Sequence, residues 1–193
     1  MIRSKADLAY YLDEDRKAYG KPPMTFKNWL RQLIFTDYNW AFMRNLRKLE
    51  YYTNCTRGGG KLMRYYLNWR HSQLRHKTGI ELNVNVAAPG LHITHGKIVV
   101  SPIARIGEYC KIMSDVTIGI QGRYDVPGAP TLGNRVWVGS GAKIIGPITI
   151  ADDVVIGANA VVAKSITEPN ITVAGIPAKK VSDTGSYHYL NRE

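Results

Sequence analysis

Leu132, Val138, Ile144, Ile150, Ile156 and Val162 place an aliphatic side chain at every sixth position, and Val100, Ile106, Ile112 and Ile118 do the same earlier in the chain. Glycine directly follows several of them, at Gly107, Gly119, Gly133, Gly139 and Gly157. An α-helix repeats every 3.6 residues and a strand every two, so neither produces a period of six. A three-sided coil does: each side takes one hexapeptide, a short strand and a turn. Stacked coils then pair their strands in parallel, about 4.8 Å apart. The aliphatic residue points into the narrow prism, and small neighbours relieve crowding where one coil sits on the next. With the segment 80–95 added, four to five coils are expected, a stack on the order of 20 Å tall. A β-sandwich is disfavoured, because its strands alternate with period two.

Leu132 follows Ile118 at an interval of fourteen positions, which breaks the register. Residues 119–131 carry the glycine and proline of a loop ejected from the prism, where function is often placed on a rigid scaffold.

Residues 1–79 follow other rules. Ser4 and Asp7 form a capping-box pattern ahead of Leu8, Tyr11 and Leu12, and Gly20 ends that helix. Phe26, Trp29, Leu30, Leu33 and Ile34 make a second apolar stripe, and Trp40, Met43, Leu46, Leu49 and Tyr52 a third. After a break at Gly58-Gly59-Gly60, Leu62, Tyr65, Tyr66, Trp69 and Leu74 mark a last helix, which Gly79 ends. These stripes read as core. The expected organisation is a helical cap over 1–79, a coil domain over 80–181 and a tail over 182–193.

Charge divides the same way. The chain carries a formal +11; residues 1–79 account for +10 and residues 80–193 for +1. Arg44, Arg47, Lys48, Arg57, Lys61, Arg64, Arg70, Arg75 and Lys77 read first as a solvated face and second as a surface drawn to anionic membranes. No nucleic-acid motif accompanies them, so a nucleic-acid partner is not expected. The start of the chain turns acidic within fifteen residues, unlike a secretory leader, and a cytoplasmic protein is expected. Cys55 and Cys110 lack metal-ligand spacing, so no metal is expected.

The segment 90–100, Gly-Leu-His-Ile-Thr-His-Gly-Lys-Ile-Val-Val, the hexapeptide array after it, and 174–181, Ala-Gly-Ile-Pro-Ala-Lys-Lys-Val, resemble the hexapeptide-repeat acyltransferases. Within them the sequence is most similar to serine acetyltransferases and to the O-acetyltransferases associated with polysaccharide biosynthesis. The resemblance covers about 80–181, and 47–55 extends it loosely towards the polysaccharide-associated members. It implies a mainly β fold, a left-handed parallel β-helix with an N-terminal α-helical region. It also implies a homotrimer and acetyl-CoA held in a groove between neighbouring prisms. The activity implied is O-acetyl transfer to L-serine, or to a sugar of a capsular or exopolysaccharide. A non-catalytic assembly or membrane-binding module is the contrasting expectation, which the presence of His95 opposes.

An acceptor hydroxyl needs a base of pKa near working pH, which imidazole supplies. His95 stands at the place of the family's catalytic histidine. Glu81 reaches the place of the acid that orients it if one residue is deleted between Glu81 and Gly90. His92 and Asp115 are expected near the acceptor, and Arg123 is its candidate cation. For His71, His76 and His188 a solvated position is expected. On the cofactor side the resemblance points to Gly119, Gly139, Ser140, Gly141 and Ala142 for the pantetheine arm, and to Lys179 and Lys180 for the nucleotide end. Serine acetyltransferases carry Arg-His-Pro in the loop; here the stretch is Val-Pro-Gly-Ala-Pro, with Ala129 at the histidine place.

Overall fold

The computed structural model describes residues 1–23, 25, 28, 37–55, 60–122, 125 and 127–190. Helix α1 spans Lys5–Ala18, α2 Tyr38–Asn54 and α3 Lys61–Thr78. Ser4 caps α1 by accepting from the Asp7 amide at 3.0 Å, and Asp37 caps α2 by accepting from Trp40 at 3.0 Å. Such caps satisfy amides that have no partner inside the helix. Gly79, at φ +68°, closes α3 in the left-handed conformation and hands the chain to the first strand.

Fourteen short strands follow among the described residues. One wall holds β1 (Ile80–Glu81), β3 (Ile98–Val100), β6 (Thr117–Gly119), β9 (Lys143–Ile145) and β12 (Val161–Val162). A second holds β4 (Arg105–Ile106), β7 (Thr131–Leu132) and β10 (Thr149–Ile150), extended by bridges at Ala87 and Ile166. The third holds β2 (His92–Ile93), β5 (Lys111–Ile112), β8 (Trp137–Val138), β11 (Val155–Ile156) and β13 (Thr172–Ala174), with β14 (Lys179–Ser182) added antiparallel at its edge. Successive strands visit the walls in rotation and pair in parallel with the coil below, so the chain winds as a three-sided β-helix of five levels. Ile93, Ile112, Val138, Ile156 and Val173 form one inward column, all buried.

The commonest register is eighteen residues per coil, as in Ile80 with Ile98 and Lys143 with Val161, and it shortens in the last coil to seventeen at Val155 with Thr172 and sixteen at Ile150 with Ile166. Thr117 pairs with Lys143 and Arg105 with Thr131, twenty-six apart, so the loop after β6 is a net insertion of eight. The loop is thus shorter than 119–131: Gly119 still belongs to β6 and Thr131 to β7.

The helices cover the open end of the prism and bond its last backbone groups. Arg47 donates to the carbonyls of Ala87 and Ala88, Asp15 accepts from the amides of Gly90 and Leu91, and Glu50 accepts from Asn85. Arg47 lies fully buried between Asp15 at 2.8 Å and Glu50 at 3.1 Å, with the Tyr11 ring against it. Expectation placed Arg47 on a solvated basic face; the two carboxylates and the unpaired coil carbonyls draw it inside instead.

Two further expectations are corrected in α3. Its buried face is Leu67, His71, Leu74 and Thr78. Of the stripe expected as core, Leu74 is buried, but the rest faces outward: Leu62 is 82% exposed, Tyr65 66% and Trp69 60%, with Tyr66 also exposed. Aromatic spacing identified the helix but not which side packs, since a second apolar face at Leu67 and Leu74 meets α2. His71, expected in solvent, is buried with its ring 4.8 Å from Phe42. The stripe at Phe26, Trp29, Leu30, Leu33 and Ile34, the break at Gly58 and Gly59, and Arg57 lie outside the described residues, as does Arg123.

Candidate active site

His92 and His95 enter on the segment that turns from β2 into β3. β2 is the outermost strand of its wall, so one side of its backbone has no strand neighbour. Side chains from the cap take that place. The Tyr19 hydroxyl accepts from the Ile93 amide and donates to the Ile93 carbonyl, each at 3.2 Å, and Asn39 donates to the Thr94 carbonyl at 3.2 Å. The His92 ring lies 4.5 Å from the Tyr19 ring, and burial pulls its pKa down to about 4, with Lys111 nearby acting in the same direction. His92 is therefore a neutral, packed imidazole at neutral pH.

His95 is exposed, and the register explains why. Between the inward residues Ile93 and Ile98 the first coil has four residues. The coils above have three at this corner, between Ile112 and Val116, Val138 and Ala142, and Ile156 and Ala160. One extra residue bulges the corner outward at Thr94–Lys97, and His95 rides on the bulge. A compensating deletion lies between Glu81 and Ala87, where Ile93 pairs with Ile112 and Ala87 bridges Ile106, nineteen residues on rather than eighteen.

The bulge is held against α3. A Cβ on Gly96 would overlap the Thr78 carbonyl oxygen, so only glycine allows this approach. The Lys97 amide then donates to that carbonyl at 3.0 Å, and Lys97 takes φ +63° at the corner. Asp115, Gly141 and Asn159 take the same left-handed conformation at this corner in the coils above. The pairing of Val99 with Thr117, and of Thr117 with Lys143, thus lines up the His95 bulge, Asp115 and the Gly139–Gly141 run along one edge of the prism.

The remaining candidates differ in what they present. Asp115 is exposed, and its carbonyl accepts from Lys143 at 2.7 Å. Ser140 is half-buried and accepts a long 3.5 Å bond from the Ser114 hydroxyl. Gly139 has a packing reason, since a Cβ there would meet the Ala158 amide nitrogen at 2.7 Å, and Gly141 has a backbone reason at φ +76°. Ala142 is fully buried with its side chain in the core. Gly119 differs from these: an added Cβ would meet only Ile145 and Thr117, both at an ordinary 3.7 Å. Neither packing nor φ requires glycine there.

Glu81 sits on β1 with its carboxylate 3.6 Å from Arg75 of α3, both half exposed. Lys180 is bound at 2.6 Å to Glu168 and at 2.6 Å to Asp183, which raise its pKa, Asp183 first. Lys179 is exposed, and no carboxylate among the described residues pairs with it. Tyr19, Asn39 and Gly96 were not singled out by the sequence. Tyr19 and Ile93 are 74 residues apart, so no local pattern joins them.

Comparison with known proteins agrees with this fold. Residues 129–164 match the bacterial transferase hexapeptide (six repeats) family. The serine acetyltransferase of Helicobacter pylori is 41% identical over 121 residues, covering 61% of this chain and 70% of that enzyme. The crystal structure of serine acetyltransferase in complex with coenzyme A from Brucella abortus superposes with a TM-score of 0.69 at 28% identity, covering 94% of this chain and 70% of that one. Soybean serine acetyltransferase complexed with serine shares the fold at a TM-score of 0.72 and 22% identity, covering 92% of this chain and 70% of that one. The rotating parallel walls, the hexapeptide array and these relatives together place the chain in the serine acetyltransferase family of hexapeptide-repeat acyltransferases, enzymes whose acyl donor is acetyl-CoA.

Proposed function

We propose that the protein transfers the acetyl group of acetyl-CoA to the hydroxyl of L-serine, with His95 as general base. The observation that carries the reading is the bulge: the extra residue at this corner pushes one imidazole out of the prism wall, on the same edge as the small-residue run. His95 would take the hydroxyl proton as the oxygen attacks the thioester carbonyl, then return it to the departing thiolate. A positioned base of this kind contributes roughly 10²–10⁴-fold in rate. His92, neutral and packed on Tyr19, borders the acceptor, with Asp115 next along the edge and Arg123 as its cation. The orienting role of Glu81 requires its carboxylate to exchange Arg75 for the imidazole. Gly119, with Gly139, Ser140, Gly141 and the backbone of Ala142, lines the path of the pantetheine arm. Lys179 and Lys180 meet the phosphates.

In this reading the coil is left-handed and three copies form a homotrimer, with each groove between two prisms. Val99, Ile103 and Ile120 support the assembly: all three are exposed aliphatic residues on or beside the wall that contains β3 and β6. Among the described residues no helix is long and apolar enough to cross a membrane, and we place the reaction in the cytoplasm, where acetyl-CoA is supplied. The helical cap, the coil domain and the tail keep the boundaries 1–79, 80–181 and 182–193.

A sugar hydroxyl is the second reading, favoured by the loop. Ala129 packs against the core where the family's histidine would face the acceptor. The test is release of free CoA from acetyl-CoA with L-serine and with a panel of hexoses. Serine-dependent release supports the first reading; release with a hexose alone replaces it with the second.

A further inference from the structure

The outward face of α3 is built like a helix that lies on a lipid surface. At 3.6 residues per turn, Leu62, Tyr65, Tyr66 and Trp69 fall within an arc of about 100°, opposite the buried Leu67, His71, Leu74 and Thr78. The helix therefore carries two apolar faces, of which the fold uses one. Lys61 flanks the outer stripe on one side and Arg70 on the other, both exposed. Over its eighteen residues α3 has five Lys or Arg and no Asp or Glu. Arg70 lies near Arg44 and Lys48 of α2; burial is the larger cause of the lowered pKa of Arg44 and Lys48, and the Arg70 charge acts on both in the same direction. Cations gathered at such a cost are complementary to anionic phosphates. Exposed Trp and Tyr between them suit the boundary of headgroup and acyl chain.

We infer that this face docks the protein on anionic phospholipid, with the aromatic stripe in the interface and Lys61, Arg70 and Lys48 on the headgroup phosphates. The inference is independent of the roles given to His95 and the cofactor groove. It makes the enzyme peripheral, held at a surface while its coil remains in water.

Flotation of the full chain tests it, using vesicles of phosphatidylcholine alone and of phosphatidylcholine mixed with phosphatidylglycerol. The expected result is binding to the mixed vesicles at low salt, loss at high salt, and no binding to phosphatidylcholine alone. Lys61→Gln with Arg70→Gln should lower partitioning by about thirtyfold, from the usual worth of two surface cations. Tyr65→Ser with Trp69→Ser should lower it at constant salt, while solution CoA release stays at the parent rate. No binding of the parent at low salt would overturn the inference, as would binding that neither double variant weakens. A lipid-free parent of larger mass than the Tyr65→Ser/Trp69→Ser variant would overturn it too, by showing that a second copy covers the face.

Discussion

The hydroxyl of Tyr19 stands 3.2 Å from both the amide nitrogen and the carbonyl oxygen of Ile93. It serves as the missing neighbour of an edge strand, giving and receiving the bonds that another coil would supply. Edge strands left open invite pairing with other chains. Here the helical cap closes the edge and, in the same contact, fixes the segment two residues before His95.

Removing that hydroxyl leaves a buried amide and carbonyl without partners, a loss of about 1–3 kcal/mol. Tyr19→Phe should therefore lower the stability measured by urea unfolding by that amount. Because the ring that packs on His92 is kept, the coil should persist, and its far-ultraviolet circular dichroism should match the parent's.

The Asp15–Arg47–Glu50 cluster holds two helices to the first coil. Arg47→Met removes the cation and leaves two buried carboxylates facing one another. Breaking a buried ion pair on one side costs roughly 3–5 kcal/mol. Denaturant midpoints should fall accordingly, and a change under 1 kcal/mol, the usual range of an exposed pair, would contradict the buried arrangement.

His71 gives the protein a pH-dependent stability of known sign. Burial pulls its pKa from 6.5 down to about 4. Above pH 6.5 folded and unfolded chains are both neutral at this ring. As pH falls from 6.5 towards 4, only the unfolded chain takes up the proton, so stability declines across that window and levels below it. The contribution of His71 is the difference between the parent and His71→Gln. Unfolding curves from pH 7 to pH 4 should show a shallower decline in the variant, and parallel declines would refute the assignment.

Two glycines separate packing from ligand space. Gly96→Ala forces a Cβ into the Thr78 carbonyl and should lower the melting temperature while displacing the His95 bulge. Gly119→Ala meets only ordinary contacts, so its melting temperature should stay near the parent's while KM for acetyl-CoA rises. An unchanged KM in the second variant would remove Gly119 from the pantetheine path.

What the sequence made legible follows from how local each signal is. The six-residue period returns as the inward columns, because a coil repeats its own geometry and each repeat reports it anew. The capping pair Ser4 and Asp7 and the stop at Gly79 were equally readable, being set by their neighbours along the chain. Arg47 and the outer stripe of α3 were misread because burial there depends on partners far off in sequence: Ala87 and Ala88 for the guanidinium, α2 for the helix face. His95 was singled out through family likeness. Its exposure came from a one-residue difference between coils, visible only once Ile93 is aligned with Ile112 and Ile98 with Val116.

The central claim is that the bulged imidazole of His95 performs acetyl transfer. The most direct measurement is steady-state CoA release from acetyl-CoA and L-serine by His95→Ala beside the parent, with unfolding curves for both. The account predicts a loss of about 10²–10⁴-fold in kcat with stability retained. Turnover within a few fold of the parent would contradict it.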